Sequence, residues 1–95
     1  MLNSKQRAAL RAMANPIDTL FQVGKQGVTE PLQRQADIAL LARELIKLRV
    51  LETAPVSAKE AANTLAEALG ADVVQVIGTR FVLYRPNPEH PVIKV

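Results

Sequence analysis

The sequence predicts a small α/β domain with the element order α-β-α-β-α-β-β, in which helices pack on a four-stranded mixed sheet. Three observations predict it. The hydropathy pattern switches repeatedly between helical spacing and the two-residue alternation of strands. The expected helix ends coincide with capping residues, glycines and prolines. A chain of 95 residues with 48% hydrophobic side chains is also the right size for one core.

Asn3 or Ser4 can cap a first helix running to about Ala14, where Pro16 stops it. Leu10 and Met13 should face inward there, and Lys5, Arg7 and Arg11 outward. Thr19 to Val23 reads as a strand, closed by the turn Gly24-Lys25-Gln26-Gly27. Thr29 is a suitable N-cap for a second helix ending near Arg43, and Pro31 is tolerated in its first turn because an N–H there lacks an intrahelical partner. Leu32, Ala36, Ala39 and Leu40 form its expected buried stripe. Leu45 to Leu51 alternates, with Ile46, Leu48 and Val50 on one side and Lys47 and Arg49 on the other.

Ser57-Ala58-Lys59-Glu60 is a capping box that opens a third helix. Ala62, Leu65, Ala66 and Leu69 should point inward, and Gly70 can end the helix. Asp72 to Ile77 and Phe81 to Arg85 read as strands of a hairpin turning at Gly78-Thr79-Arg80. Pro86, Pro88 and Pro91 then argue against further helix or central strand. Residues 1–87 therefore read as the domain and 88–95 as an extended, mobile tail. Right-handed crossovers put both connecting helices on one sheet face, leaving the other partly open unless the first helix covers it.

Cysteine is absent, so disulfides, thiolate metal sites and thiol redox chemistry are excluded. The N-terminus lacks the apolar stretch of a signal peptide, and no apolar run approaches the roughly 20 residues of a membrane span. A cytoplasmic location is expected. The net charge is +3, but residues 1–50 hold eight Lys or Arg against four acids while residues 51–95 hold four against five. That asymmetry suggests a polyanionic partner, because clustered cations release counterions from nucleic acid. A solvated basic surface without a partner would give the same count.

The Gly24–Gly27 turn joins a strand to a helix start. Missing Cβ atoms let another chain approach, helix-start N–H groups and the helix dipole favour an anion, and Lys25 adds a cation. An isolated glycine pair can equally be an ordinary βα turn. The spacing matches neither GxGxxG nor GxxxxGK[ST], which argues against nucleotide hydrolysis. Lys47 and Arg49 on one strand face, with Lys5 and Arg7 on the first helix, are further candidate phosphate contacts, and Arg11, Arg80 and Arg85 are secondary ones. Phe21, Phe81 and Tyr84 lie in expected strands and read as core, so base stacking should matter less than backbone contact. The single histidine, His90, lies in the tail, and the nine acidic residues form no HExxH, paired-acid or Ser-His-Asp pattern. No catalytic residue, metal, cofactor or small-molecule substrate is expected.

Four ordered blocks make the chain resemble the CRM (chloroplast RNA splicing and ribosome maturation) domain family, especially its stand-alone bacterial YhbY-like members. They are Ser4-Lys5-Gln6-Arg7; Gln22 through Thr29, with its GxxG loop; Glu44 through Val50; and Val74 through Gly78 with Val82-Leu83-Tyr84-Arg85-Pro86. The resemblance implies a two-layer sandwich like the C-terminal domain of translation initiation factor three, with sheet order 1-2-4-3 and the last strand antiparallel. It also implies binding of structured RNA, ribosomal RNA in large-subunit precursors for bacterial members, with Gly24, Lys25, Gln26 and Gly27 as the expected contact. A monomer is favoured. The competing expectation is a protein-interaction module that docks a partner on its open sheet face.

Overall fold

The computed structural model describes residues 2–95. It contains α1 (Ser4–Ala14), β1 (Phe21–Val23), α2 (Glu30–Arg43), β2 (Leu45–Val50), α3 (Ala58–Leu69), β3 (Asp72–Ile77) and β4 (Arg80–Tyr84). The sheet order is β1-β2-β4-β3, with β1 parallel to β2 and β4 antiparallel to both its neighbours. Element order, mixed sheet and strand order are all as expected. Arg80 opens β4 instead of lying in the hairpin turn, which is only Gly78-Thr79 and is tied to β2 by the Val50 amide donating to the Thr79 carbonyl at 2.7 Å.

Local chemistry sets the helix ends. The side chains of Asn3, Thr29 and Ser57 accept from the amides of Gln6, Leu32 and Glu60, and Gly70 ends α3 in the left-handed region. The Glu60 carboxylate, bonded back to the Ser57 amide and hydroxyl, is held below the ordinary glutamate pKa. One face of the sheet packs on α2 and α3 through Leu32, Ala36, Leu40, Ala62 and Leu65 against Val23, Ile46, Leu48, Phe81 and Leu83. The opposite face packs on α1 through a smaller cluster of Leu10, Ala14, Leu45, Val74, Val82 and Tyr84. Fully burying a leucine such as Leu10 stabilises by about 2 kcal/mol, so α1 is firmly held.

Two expectations about α1 are corrected. Met13 is 39% exposed, and Ala14, one turn beyond Leu10, takes the inward place. Arg7 shares the Leu10–Ala14 face by its spacing and points inward, not outward. Its guanidinium donates to the carbonyl of Val73 and, at 3.4 Å, to that of Val74. Those carbonyls lie at a bulge in β3, where the register against β4 shifts, so Arg7 ties α1 to that irregularity of the edge strand.

Residues 88–95, which carry no regular secondary structure, hydrogen-bond to Glu44. This residue has φ 65° at the α2 C-cap and is completely buried, an unusual conformation for a side chain with a Cβ. One carboxylate oxygen accepts from the amides of Val92 and Ile93, each at 2.6 Å, and the other from Asn87 at 2.5 Å. Asn87 in turn caps the Leu41 carbonyl at 3.1 Å, and Ile93 packs on the α1 cluster. Burial pushes the Glu44 pKa up, but the amides of Asn87, Ile93 and Val92 outweigh it and hold the group below the ordinary value. Burial, reinforced by the charges of Glu44 and Asp72, pushes the Tyr84 hydroxyl up.

Candidate nucleic-acid interface

Strand pleating turns the α1 side of the sheet into rows of side chains that cross it. Register gives Leu45, Tyr84 and Asp72 as the first row and Lys47, Val82 and Gln75 as the second. Gln22, Arg49, Arg80 and Ile77 make the third. The first row is covered by α1 and the tail. The third is open: Gln22 and Arg80 are exposed, Arg49 is half-buried and Ile77 is 63% exposed.

Arg49 and Arg80 stand directly opposite each other on neighbouring strands. Like charges so placed destabilise a sheet by roughly 0.2–1 kcal/mol. Among the described residues the ion pairs are Arg34–Glu30 and Arg85–Asp37, so no carboxylate compensates Arg49, Arg80 or Lys47. The nearest polar partner of the Lys47 ammonium is the Asn15 carbonyl at the end of α1, at 3.4 Å. A cationic cluster kept without counter-charges is suited to an external anion.

The Gly24–Gly27 turn follows β1 at this same end of the sheet. The Gly27 amide donates to the Gly24 carbonyl at 2.9 Å, leaving Lys25 and Gln26 exposed at the tip. Gly27 has φ +73°, and a Cβ there would lie 3.5 Å from Pro55. Gly24 is outside the left-handed region, and a Cβ would meet only Leu51 at 4.0 Å. Folding therefore requires glycine at 27 and not at 24. The bare backbone at Gly24 instead leaves room for another chain.

The expected help from the α2 N-terminus is reduced. Thr29 already takes the Leu32 amide, Pro31 has no amide to give, and the Glu30 carboxylate occupies the first turn. An anion at this turn would depend on Lys25 and the loop amides more than on the helix dipole.

The remaining candidates divide by what holds them. Lys5 and Arg11 are exposed on α1. Arg85, expected to be accessible, is not: its guanidinium donates to the Asp37 carboxylate at 2.7 Å, the Leu69 carbonyl at 2.9 Å and the Asp37 carbonyl at 3.1 Å. It clamps α2 to the end of α3, as Arg7 clamps α1 to β3. Phe81 and Tyr84 are buried, and Phe21 packs partly buried on the opposite side, so no aromatic ring lies on the open rows. Gln22, Gln75 and Ile77 were not among the expected site residues; strand alternation gives only the face each one shares within its own strand, and the register between strands is what puts them beside Arg49 and Arg80. Among the described residues, no group of three or more His, Cys, Asp or Glu is placed to hold a metal ion, and no helix is long and apolar enough to cross a membrane.

Comparison with known proteins adds a consistent pattern. The family model of the CRS1 / YhbY (CRM) domain matches residues 2–85. A Bacillus subtilis protein named as a probable RNA-binding protein, YqeI, is 38% identical over 95 residues, covering 100% of this chain and 99% of its own. A Haemophilus influenzae RNA-binding protein is 32% identical over 88 residues, covering 93% and 89%. The solution structure of SAV1595 from Staphylococcus aureus, described as a candidate RNA binding protein, superposes with a TM-score of 0.83 at 44% identity, covering 100% of this chain and 99% of that one.

Proposed function

The chain belongs to the CRS1 / YhbY (CRM) domain family, and from that premise we propose that it is a non-catalytic protein that binds structured RNA chiefly through the phosphate backbone. The observation that carries the reading is the uncompensated cluster of Lys47, Arg49 and Arg80 on open strand rows, beside a turn tipped by Lys25. Gly24, Gln26 and Gly27 shape the turn so that its amides reach phosphate, and Lys5 and Arg11 extend the basic surface along α1. The polyanion is ribosomal RNA in precursors of the large subunit, met in the cytoplasm by a monomeric protein. Docking of a protein partner on the open sheet face is less well supported, because those rows carry three cations and only one exposed large apolar side chain, Ile77.

A salt titration of binding to a structured RNA tests the reading. Affinity should fall steeply as salt rises, and Lys25→Glu should weaken several unrelated RNAs alike while lowering the log–log salt slope by about one. Absence of binding at low salt, or indifference to Lys25→Glu, would count against it. Sedimentation of tagged protein with large-subunit precursors, set against mature subunits, tests the ribosomal assignment.

A further inference from the structure

Between the end of α1 and the open rows lies a recess of about 200 Å³, lined by Asn15, Lys47, Gln75, Ile77, Arg80 and Val82. It is smaller than the roughly 300–1,000 Å³ that holds drug-sized ligands, so it suits one ring system. Its floor is apolar, from buried Val82, and one wall is the exposed side chain of Ile77. Its rim is polar: the Gln75 carboxamide faces Lys47 across Val82, since both are register partners of that residue. Arg80 stands between Arg49 and Ile77 in the next row. An apolar floor, a carboxamide able both to donate and to accept, and planar guanidinium groups beside it are the chemistry that recognises a nucleobase joined to phosphate.

We propose that this recess receives a single unpaired nucleobase of the bound RNA, with Ile77 and the Arg80 plane against its face, Gln75 on its edge, and Arg49 on the adjoining phosphate. The proposal rests on the RNA-binding reading and deepens it. Arginine planes can take the stacking role of aromatic rings, which explains how a face without an exposed ring engages a base. The cross-strand Arg49–Arg80 repulsion is relieved only when an anion arrives, so occupation of the recess and phosphate contact reinforce each other.

The test compares hairpin RNAs of equal length, one fully paired and one with a single-nucleotide bulge, against the full chain at fixed salt. The bulged RNA should bind roughly tenfold more tightly, the range expected for one stacked base. Gln75→Ala and, at its exposed position, Ile77→Ser should each collapse that ratio towards one, whereas Lys25→Glu should weaken both RNAs and keep it. Amide NMR shifts at Gln75, Ile77 and Arg80 should appear with the bulged RNA and not with the paired one. Equal binding of the two RNAs by the unaltered protein overturns the base site while leaving backbone recognition intact. Failure of both RNAs to bind at low salt overturns both readings. The same shifts with adenosine or uridine monophosphate, without any preference for bulged RNA, would overturn the RNA assignment in favour of a free-nucleotide site.

Discussion

The two ends of one sheet face have opposite electrostatic designs. Around Tyr84 and Glu44 every buried polar side-chain atom has a partner: Arg7 spans the bulge in β3 and Glu44 gathers three backbone amides. Two rows away, Arg49 and Arg80 face each other without a carboxylate. Charge that is buried and satisfied holds the scaffold, and charge left open and mutually repelling is available to a partner. Removing a charge should therefore cost stability at the first end and relieve strain at the second.

The largest effect is expected at Glu44. Glu44→Gln removes the charge and one acceptor oxygen from a site that serves three amides, and leaving even one buried amide unsatisfied costs about 1–3 kcal/mol. Denaturant unfolding should show a loss in that range, and hydrogen exchange should show Val92 and Ile93 losing protection. Acid gives the same result without mutation. Because the folded-state pKa of Glu44 lies below its ordinary value near 4.5, its stabilisation is full above that pH and is lost as pH falls through the lowered folded value. Val92 and Ile93 amides that stay protected through that window would break the contrast, since the carboxylate would then not be what holds the tail.

A smaller effect separates the two glycines of the turn. Gly27→Ala puts a Cβ on a residue with φ +73° and should cost about 1–2 kcal/mol. Gly24→Ala should leave stability unchanged or raise it by a few tenths, because the site is roomy and its backbone ordinary. RNA affinity should move the other way, with Gly24→Ala weakening binding in a protein that is folded as well as before. Measuring both variants by thermal melting and RNA titration distinguishes a turn kept only for the fold from one kept also for access.

The same division explains how much could be read from the sequence. Short-range chemistry was legible: Thr29, the Ser57–Glu60 box, Gly70 and the alternation in β2 mark elements that form where their spacing says. Strand order came from the family resemblance, which carries long-range pairing that periodicity lacks. What escaped were side chains whose partners are remote. Arg7 bonds a residue 66 positions away, Arg85 one 48 away, and Glu44 residues 48 and 49 away. An arginine reads as surface until the fold brings it a carbonyl. Glu44 did leave one trace, a glutamate at a helix end where left-handed geometry usually recruits glycine or asparagine. The tail, rich in proline, offered no pattern of its own, because the carboxylate it bonds to lies far away in the chain.

A small change in stability, and the most diagnostic in sign, is expected for Arg49→Glu. In the unaltered protein Arg49 opposes Arg80 across the ladder and Gln22 on its other side. Reversing its charge replaces a like pair with an opposite one, which should stabilise the fold by a few tenths to about 1 kcal/mol. Added salt should shrink that gain, since the site is partly open to solvent. RNA binding should fall at least about tenfold in the same variant, because a cation is lost and an anion is set against phosphate. Arg85→Glu, which breaks a satisfied clamp, should instead lower stability and affect RNA only as far as the fold is lost. Stability and affinity that moved together in Arg49→Glu would mean that the open end is scaffold too. Opposite signs in the one protein would assign its repulsion to the binding of RNA.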